Sequence, residues 1–185
     1  MKKFFNNIAV IMLTLATGFT KTCGPRSGGV VRLWLCDRDN VTSFTLNTST
    51  KEYSAVTMVG ASVFYKFEFD QDSAMFKEDG TRENKSSKIT KTIEFFLGKI
   101  TQTTRNRIQD IMDSSNCGII AIVEDTNAQK WVMGYTENFT KERPMELKSG
   151  VADSGKAFTD ANGTTVVLES TDNEYSHVFT GTVPV

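Results

Sequence analysis

A mainly β fold with one helix packed against a sheet is predicted by three observations. The first is a succession of short apolar runs that alternate with period two and are separated by turn residues. The second is aromatic content of 10%, with 13 Phe, a composition that suits pleated, half-buried surfaces. The third is a single stretch with helical periodicity, residues 98–114. There Ile100, Thr104, Ile108, Ile111 and Met112 fall on one face, and Arg105, Asn106, Gln109 and Asp110 mainly on the other.

Taken in order, residues 19–29 are polar and broken by Gly24-Pro25 and Gly28-Gly29, so they read as a linker. Residues 30–36 form the first strand; Val31, Leu33 and Leu35 share a purely apolar face expected to meet the core. Residues 37–40 turn, 41–46 alternate again, and 47–52 are polar turn material. A short strand follows at 53–59, closed by Gly60. The clearest alternation lies at 61–69, with Val63, Tyr65, Phe67 and Phe69 on one side and Phe64, Lys66 and Glu68 on the other. In residues 72–83 the alternation of Ala74, Phe76 and Glu78 is broken by Asp79-Gly80. Residues 82–88 are charged and rich in Ser and Asn, and the whole region at about 70–90 reads as a long hairpin loop. Residues 89–97 return to strand, with Ile89, Lys91, Ile93, Phe95 and Leu97 on one side.

After the helix, residues 117–123 are apolar throughout and read as a central strand covered on both faces. Residues 124–127 turn, and 130–135 pair back as a hairpin. Strands are expected at 145–151 and 164–170, separated by a polar connection at 153–162, and residues 175–180 close the chain. The length of 185 residues fits one β domain at 29–185, preceded by an arm and linker at 1–28.

The N-terminal stretch has the outline of a signal peptide. Lys2 and Lys3 precede the apolar run Ile8 to Ala16, and Ala16-Thr17-Gly18 resembles a small-residue cleavage site. The run is too short to span a bilayer, and Thr20-Lys21-Thr22 before Cys23 does not match a lipoprotein cleavage motif. A retained arm that docks on a neighbouring subunit is the expectation; a cleaved leader is the alternative.

Composition narrows the function. Hydrophobic residues at 39% and charged residues at 23% describe a folded chain, and a net charge of −1 does not favour broad nucleic-acid or anionic-membrane binding. Cys23, Cys36 and Cys117 are odd in number and lack metal-site spacing, so they are expected to be buried free thiols. His177 is the only histidine and cannot belong to a multi-histidine metal site; it is expected on the surface or between strands. Asp37, Asp39, Glu124, Asp125 and Asp160 sit at turns, where carboxylates are ordinary. Residues 24–29 are glycine-rich but neither follow a strand nor open a helix, so no phosphate cradle is expected. Trp34 and Trp131 lie among aliphatic neighbours and are expected to pack. Arg82, Lys85, Lys88 and Lys91 form a basic stretch diluted by Glu78, Asp79 and Glu83, expected to be a solvated loop or subunit contact. Asn40, Asn47, Asn84, Asn138 and Asn162 begin N-x-S/T triplets, which matter only in a secreted eukaryotic chain. No catalytic, cofactor-binding or metal residues are assigned, and an enzyme is not expected.

The order of elements resembles a family of phage structural proteins. The phrases are Gly28-Gly29-Val30-Val31-Arg32-Leu33-Trp34-Leu35, Asn40-Val41-Thr42-Ser43-Phe44, Phe64-Tyr65-Lys66-Phe67, and a long hairpin with Phe76-Lys77-Glu78. The helix, the 119–134 hairpin and Ser154-Gly155-Lys156-Ala157-Phe158 follow in turn. Across about residues 22–181 this resembles the tail-tube proteins, and the related tail and neck rings, of Bacteroidetes-infecting phages of the crAss-like type. The resemblance implies an antiparallel β-barrel or sandwich of two sheets with one flanking α-helix. It implies a virion protein, assembled in the host cytoplasm, that forms a hexameric or dodecameric ring. Such a ring would contact adjacent tail, neck or portal-associated proteins, pass DNA without specificity during ejection, and involve no membrane and no cofactor. The alternative is an exported β-sandwich binding module with a cleaved signal peptide.

Overall fold

An unbroken apolar strand needs cover on both faces. In the structure, a computed structural model that describes residues 27–185, this need organises the whole domain. The arm expected for residues 1–28 falls almost wholly outside the described residues. The elements are β1 (Val30–Asp37), β2 (Val41–Asn47), β3 (Glu52–Met58), β4 (Tyr65–Phe67), β5 (Ala74–Glu83), β6 (Ser86–Gly98), α1 (Gln102–Ser115), β7 (Ile119–Asp125), β8 (Lys130–Met133), β9 (Glu146–Asp153) and β10 (Gly163–Asp172).

Every ladder is antiparallel. A central sheet runs β4-β1-β7-β8, a second four-stranded sheet runs β5-β6-β10-β9, and β2-β3 form a hairpin of their own. In β7 every residue but Asp125 is buried, and its two faces serve different cores. Ile119, Ala121 and Val123, with Leu33 and Leu35 of β1, face Ile93 and Phe95 of β6 and Val166 and Leu168 of β10. Ile120 and Ile122, with Trp34, Cys36 and Val132, face Val41 and Phe44 of β2, Tyr53 of β3, and Phe64, Phe179 and Val183. The fold is therefore a sandwich of two sheets with a third, smaller layer on the outer face of the central sheet. The described residues form no closed barrel, so the sandwich half of the expectation holds and the barrel half does not.

The C-terminal segment holds that third layer. Tyr53 N–H donates to Val178 O at 2.8 Å, Thr180 N–H to Tyr53 O at 2.9 Å and Phe179 N–H to Lys130 O at 2.7 Å. Segment 178–180 thus joins β3 to the free edge of β8. Phe64 N–H donates to Pro184 O at 2.8 Å and ties down the last residues.

Helix α1 starts later than its periodicity suggests. Lys99 has a φ of +66°, which a right-handed helix cannot contain. Thr101 then caps α1, its hydroxyl accepting from Thr104 N–H at 3.1 Å. Ile111 is buried and Ile108 packs against the core, but Met112 is exposed. At the other end Ser115 Oγ accepts from Leu147 N–H of β9.

Three strand expectations need correction. β1 is covered on both faces, and Val31 is half exposed because a bulge between Val30 and Arg32 displaces it from the ladder. The alternation at 61–69 yields only three paired residues, since β4 meets β1 only from Leu33↔Phe67 to Leu35↔Tyr65. The long hairpin expected at about 70–90 is present, but from Ala74 onward it is regular strand and not loop. β5 pairs with β6 from Ala74↔Phe95 to Glu83↔Ser86, and Asn84 and Lys85 make a two-residue turn with φ of +49° and +64°. Asp79-Gly80 does not interrupt it, because the distal half is exposed on both faces and needs only its backbone ladder.

Candidate functional site

Two places concentrate polar and aromatic chemistry: a groove beside α1 and a polar end of the main core. The groove has a volume of about 710 Å³ and lies where β1, β4, β6 and α1 converge. Tyr65, Phe67 and Leu97 line it from the strands, and Thr104, Arg107 and Asp110 from the helix. Four of its five charges pair internally, Lys66 with Glu68 at 2.6 Å and Arg107 with Asp110 at 2.9 Å, while Asp37 accepts from Asn40 Nδ2–H at 3.5 Å. The Lys66 hydrogen bond and charge hold the Glu68 carboxyl below its ordinary range. Cys36, on the same rim, has its thiol pushed up to about 11, first by burial and then by the neighbouring charge of Asp37. At neutral pH such a thiol is protonated and a poor nucleophile. The groove thus offers an apolar and aromatic surface for contact.

The polar end belongs to the second sheet. Lys91 stands between Glu78 of β5 and Ser170 of β10 in one cross-strand row. Ser176 N–H donates to Glu78 Oε1 at 2.8 Å, which folds the chain after β10 over the row. Lys91 is fully buried, and its Nζ has no hydrogen-bond partner among the described residues. Burial lowers its pKa, against the pull of Asp172, Glu78 and Glu174. Tyr53 Oη, Ser170 Oγ, Ser176 Oγ and His177 Nε2 are likewise buried without partners.

Lys91 does not belong with the basic loop. Arg82, Lys85 and Lys88 are exposed at the hairpin, whereas Lys91 points into the core. The signal lay in its phase, since Lys91 shares a face with Ile89, Ile93 and Phe95, all of them buried.

The five turn carboxylates are not brought together. Asp37 and Asp125 lie at opposite ends of β1, where they pair with Ile119 and Val30 respectively. Asp39 pairs with Arg38 at 3.2 Å and Glu124 with Arg32 at 2.7 Å. Asp125 accepts from Asn127 N–H, Gln129 N–H and Trp131 Nε1–H. Asp160 accepts from Ala157 and Lys156 N–H, which lowers its pKa. Trp34 is core, and Trp131 stacks obliquely on Phe76 with centroids 6.0 Å apart. Gly28 and Ser27 carbonyls accept from the Thr126 hydroxyl and the Asn127 amide, so this end of the glycine-rich stretch is fastened to the β7–β8 turn. Of the cysteines in the described residues both are free, but only Cys36 is buried as expected; Cys117 is exposed, because it lies in the turn after α1 and not in β7, and Cys23 lies outside the described residues. His177 lies between strands, its carbonyl accepting from Val132 N–H at 3.1 Å. Among the described residues no helix is long and apolar enough to cross a membrane.

No protein-family model, curated protein or solved structure matches this chain.

Proposed function

We propose that this chain is a structural subunit that joins copies of itself into a closed ring or tube, as do the phage tail-tube and tail- or neck-ring proteins its sequence resembles. The observation that carries the reading is β5. It is a ten-residue strand at the edge of its sheet, with no strand on its outer side among the described residues. An edge of that length is a template for pairing, and a closed ring of copies satisfies every such edge at once. The β5–β6 hairpin also projects an exposed end, residues 79–88, suited to reach a neighbouring subunit. In this reading the ring belongs to a virion tail or neck and passes DNA through its lumen. A net charge of −1 suits a wall that must not grip phosphate.

Native mass spectrometry and negative-stain electron microscopy of the full-length protein test the proposal. A hexamer or dodecamer with a central channel is expected. Met75→Asp, which charges an exposed β5 position outside both cores, should release folded monomers. A wild type that stays monomeric at high concentration and shows no rings sinks the idea.

The groove favours a second reading, an exported binding module whose leader is removed. Intact mass from the same samples separates the two: a monomer lacking about residues 1–18 selects the module.

A further inference from the structure

Glu137 lies in the loop after β8, and Glu174 and His177 lie in the segment after β10. One ligand atom from each falls within 4.8 Å of the others. His177 Nε2 and Glu174 Oε2 are 3.7 Å apart, too far for a hydrogen bond. Zinc bonds of about 2.0–2.1 Å place two tetrahedral ligand atoms roughly 3.4 Å apart, so a small closure brings this pair onto one ion.

A second observation is independent of the carboxylates. Tyr53 is only 1% exposed, and its hydroxyl has no partner among the described residues. Its ring stands edge-on to His177 with centroids 5.3 Å apart, and of the charges acting on its hydroxyl Glu174 has the largest effect. His177 Nε2 is itself buried without a partner. A buried imidazole nitrogen and a buried phenol, both unsatisfied and both beside two carboxylates, form a donor set that lacks its centre.

We infer that Glu137, Glu174 and His177 bind a divalent transition metal, zinc by preference, with a water in the fourth position hydrogen-bonded to Tyr53 Oη. One nitrogen and two oxygen donors suit zinc better than calcium or magnesium, which take all-oxygen shells. The backbone already orients the ligands. Glu137 N–H and Asn138 N–H both donate to Glu174 Oε1, and Oε2, which accepts from Asn138 Nδ2–H at 3.3 Å, keeps its other lone pair toward His177. Lys51 Nζ, bonded to both Glu137 oxygens at 3.1 and 2.9 Å, competes with the metal for that carboxylate and must give it up. The ion would staple the β2–β3 hairpin, the 134–144 loop and the C-terminal segment, a structural role beyond the assembly proposed above.

The test is calorimetric titration of zinc into chelator-stripped full-length protein, with cobalt(II) absorption as a check on ligand type. One equivalent of zinc should bind, and cobalt should show no intense thiolate band. His177→Gln and Glu174→Gln should weaken binding by more than about tenfold. Lys51→Ala should tighten it, a gain that a variant failing to fold would not give. No binding by the wild type, a thiolate band, or equal binding by wild type and both ligand variants overturns the site.

Discussion

Lys91 shows how one residue sets a pH dependence. Burial is the largest influence on it and lowers its pKa from the ordinary 10.5, despite three nearby carboxylates. The unfolded chain therefore holds this proton more tightly than the folded one. The penalty of a buried ammonium is fully present below the folded pKa. It is relieved as pH rises from there to the ordinary value. Urea unfolding from pH 7 upward should show a rising contribution that Lys91→Met abolishes; identical slopes in the two proteins would refute this. Cys36 makes a simpler case. With its thiol at about 11, only about one molecule in a thousand carries the thiolate at pH 8. Iodoacetamide labelling read by peptide mass should modify exposed Cys117 quickly and Cys36 only on unfolding. Lys91 was legible as a strand residue but not as a buried one. Its charge argued for solvent and its phase for the core, and the sheet's need for a continuous inner face decided.

At the scale of elements, turn geometry makes the sharpest predictions. Gly134 has a φ of +80°, and a Cβ there would stand 2.7 Å from Ile119 O and 2.9 Å from Met145 N. Those atoms belong to the bridge between Ile119 and Met145, so the clash is with backbone that cannot move aside. Gly134→Ala should cost about 2–4 kcal/mol in chemical denaturation. Lys85 shows the opposite case. It holds a left-handed φ of +64° at the second position of the β5–β6 turn, where glycine is at ease. Lys85→Gly should stabilise by up to about 1 kcal/mol, seen as a higher Tm. Helix α1 and strand β7 were legible because a 3.6-residue rhythm and an unbroken apolar run are local signals. The distal β5–β6 hairpin was not. Its residues are charged because both faces meet water, and backbone pairing leaves no trace in side-chain pattern.

For the whole molecule, the third layer escaped the sequence altogether. Nothing in the alternation of residues 41–46 or 53–59 says whether they extend an existing sheet or lie across its back. That choice depends on Phe179 and Val183, more than a hundred residues away, filling the same core as Phe44 and Tyr53. Phe179→Ala should therefore cost about 3–5 kcal/mol in equilibrium unfolding, although it lies in a segment with little regular structure. A loss under 1 kcal/mol would mean that the layer stands without its C-terminal support. The doubly covered central sheet also bears on how the chain reaches its fold. β1 leaves the ribosome early, yet its main neighbour is β7, and Arg32 meets Glu124 across 92 positions of sequence. Each cover of β7 is completed later still, by β10 on one face and by Phe179 and Val183 on the other. Such late, distant pairing is slow. During synthesis the stretch Ile119-Ile120-Ala121-Ile122-Val123 waits with both covers incomplete until β10 and then Phe179 and Val183 emerge. A nascent chain stalled once β7 has cleared the ribosomal exit tunnel, with β10 still inside it, should thus be a strong client for chaperones, and one from which Phe179 and Val183 have also emerged should need them only briefly.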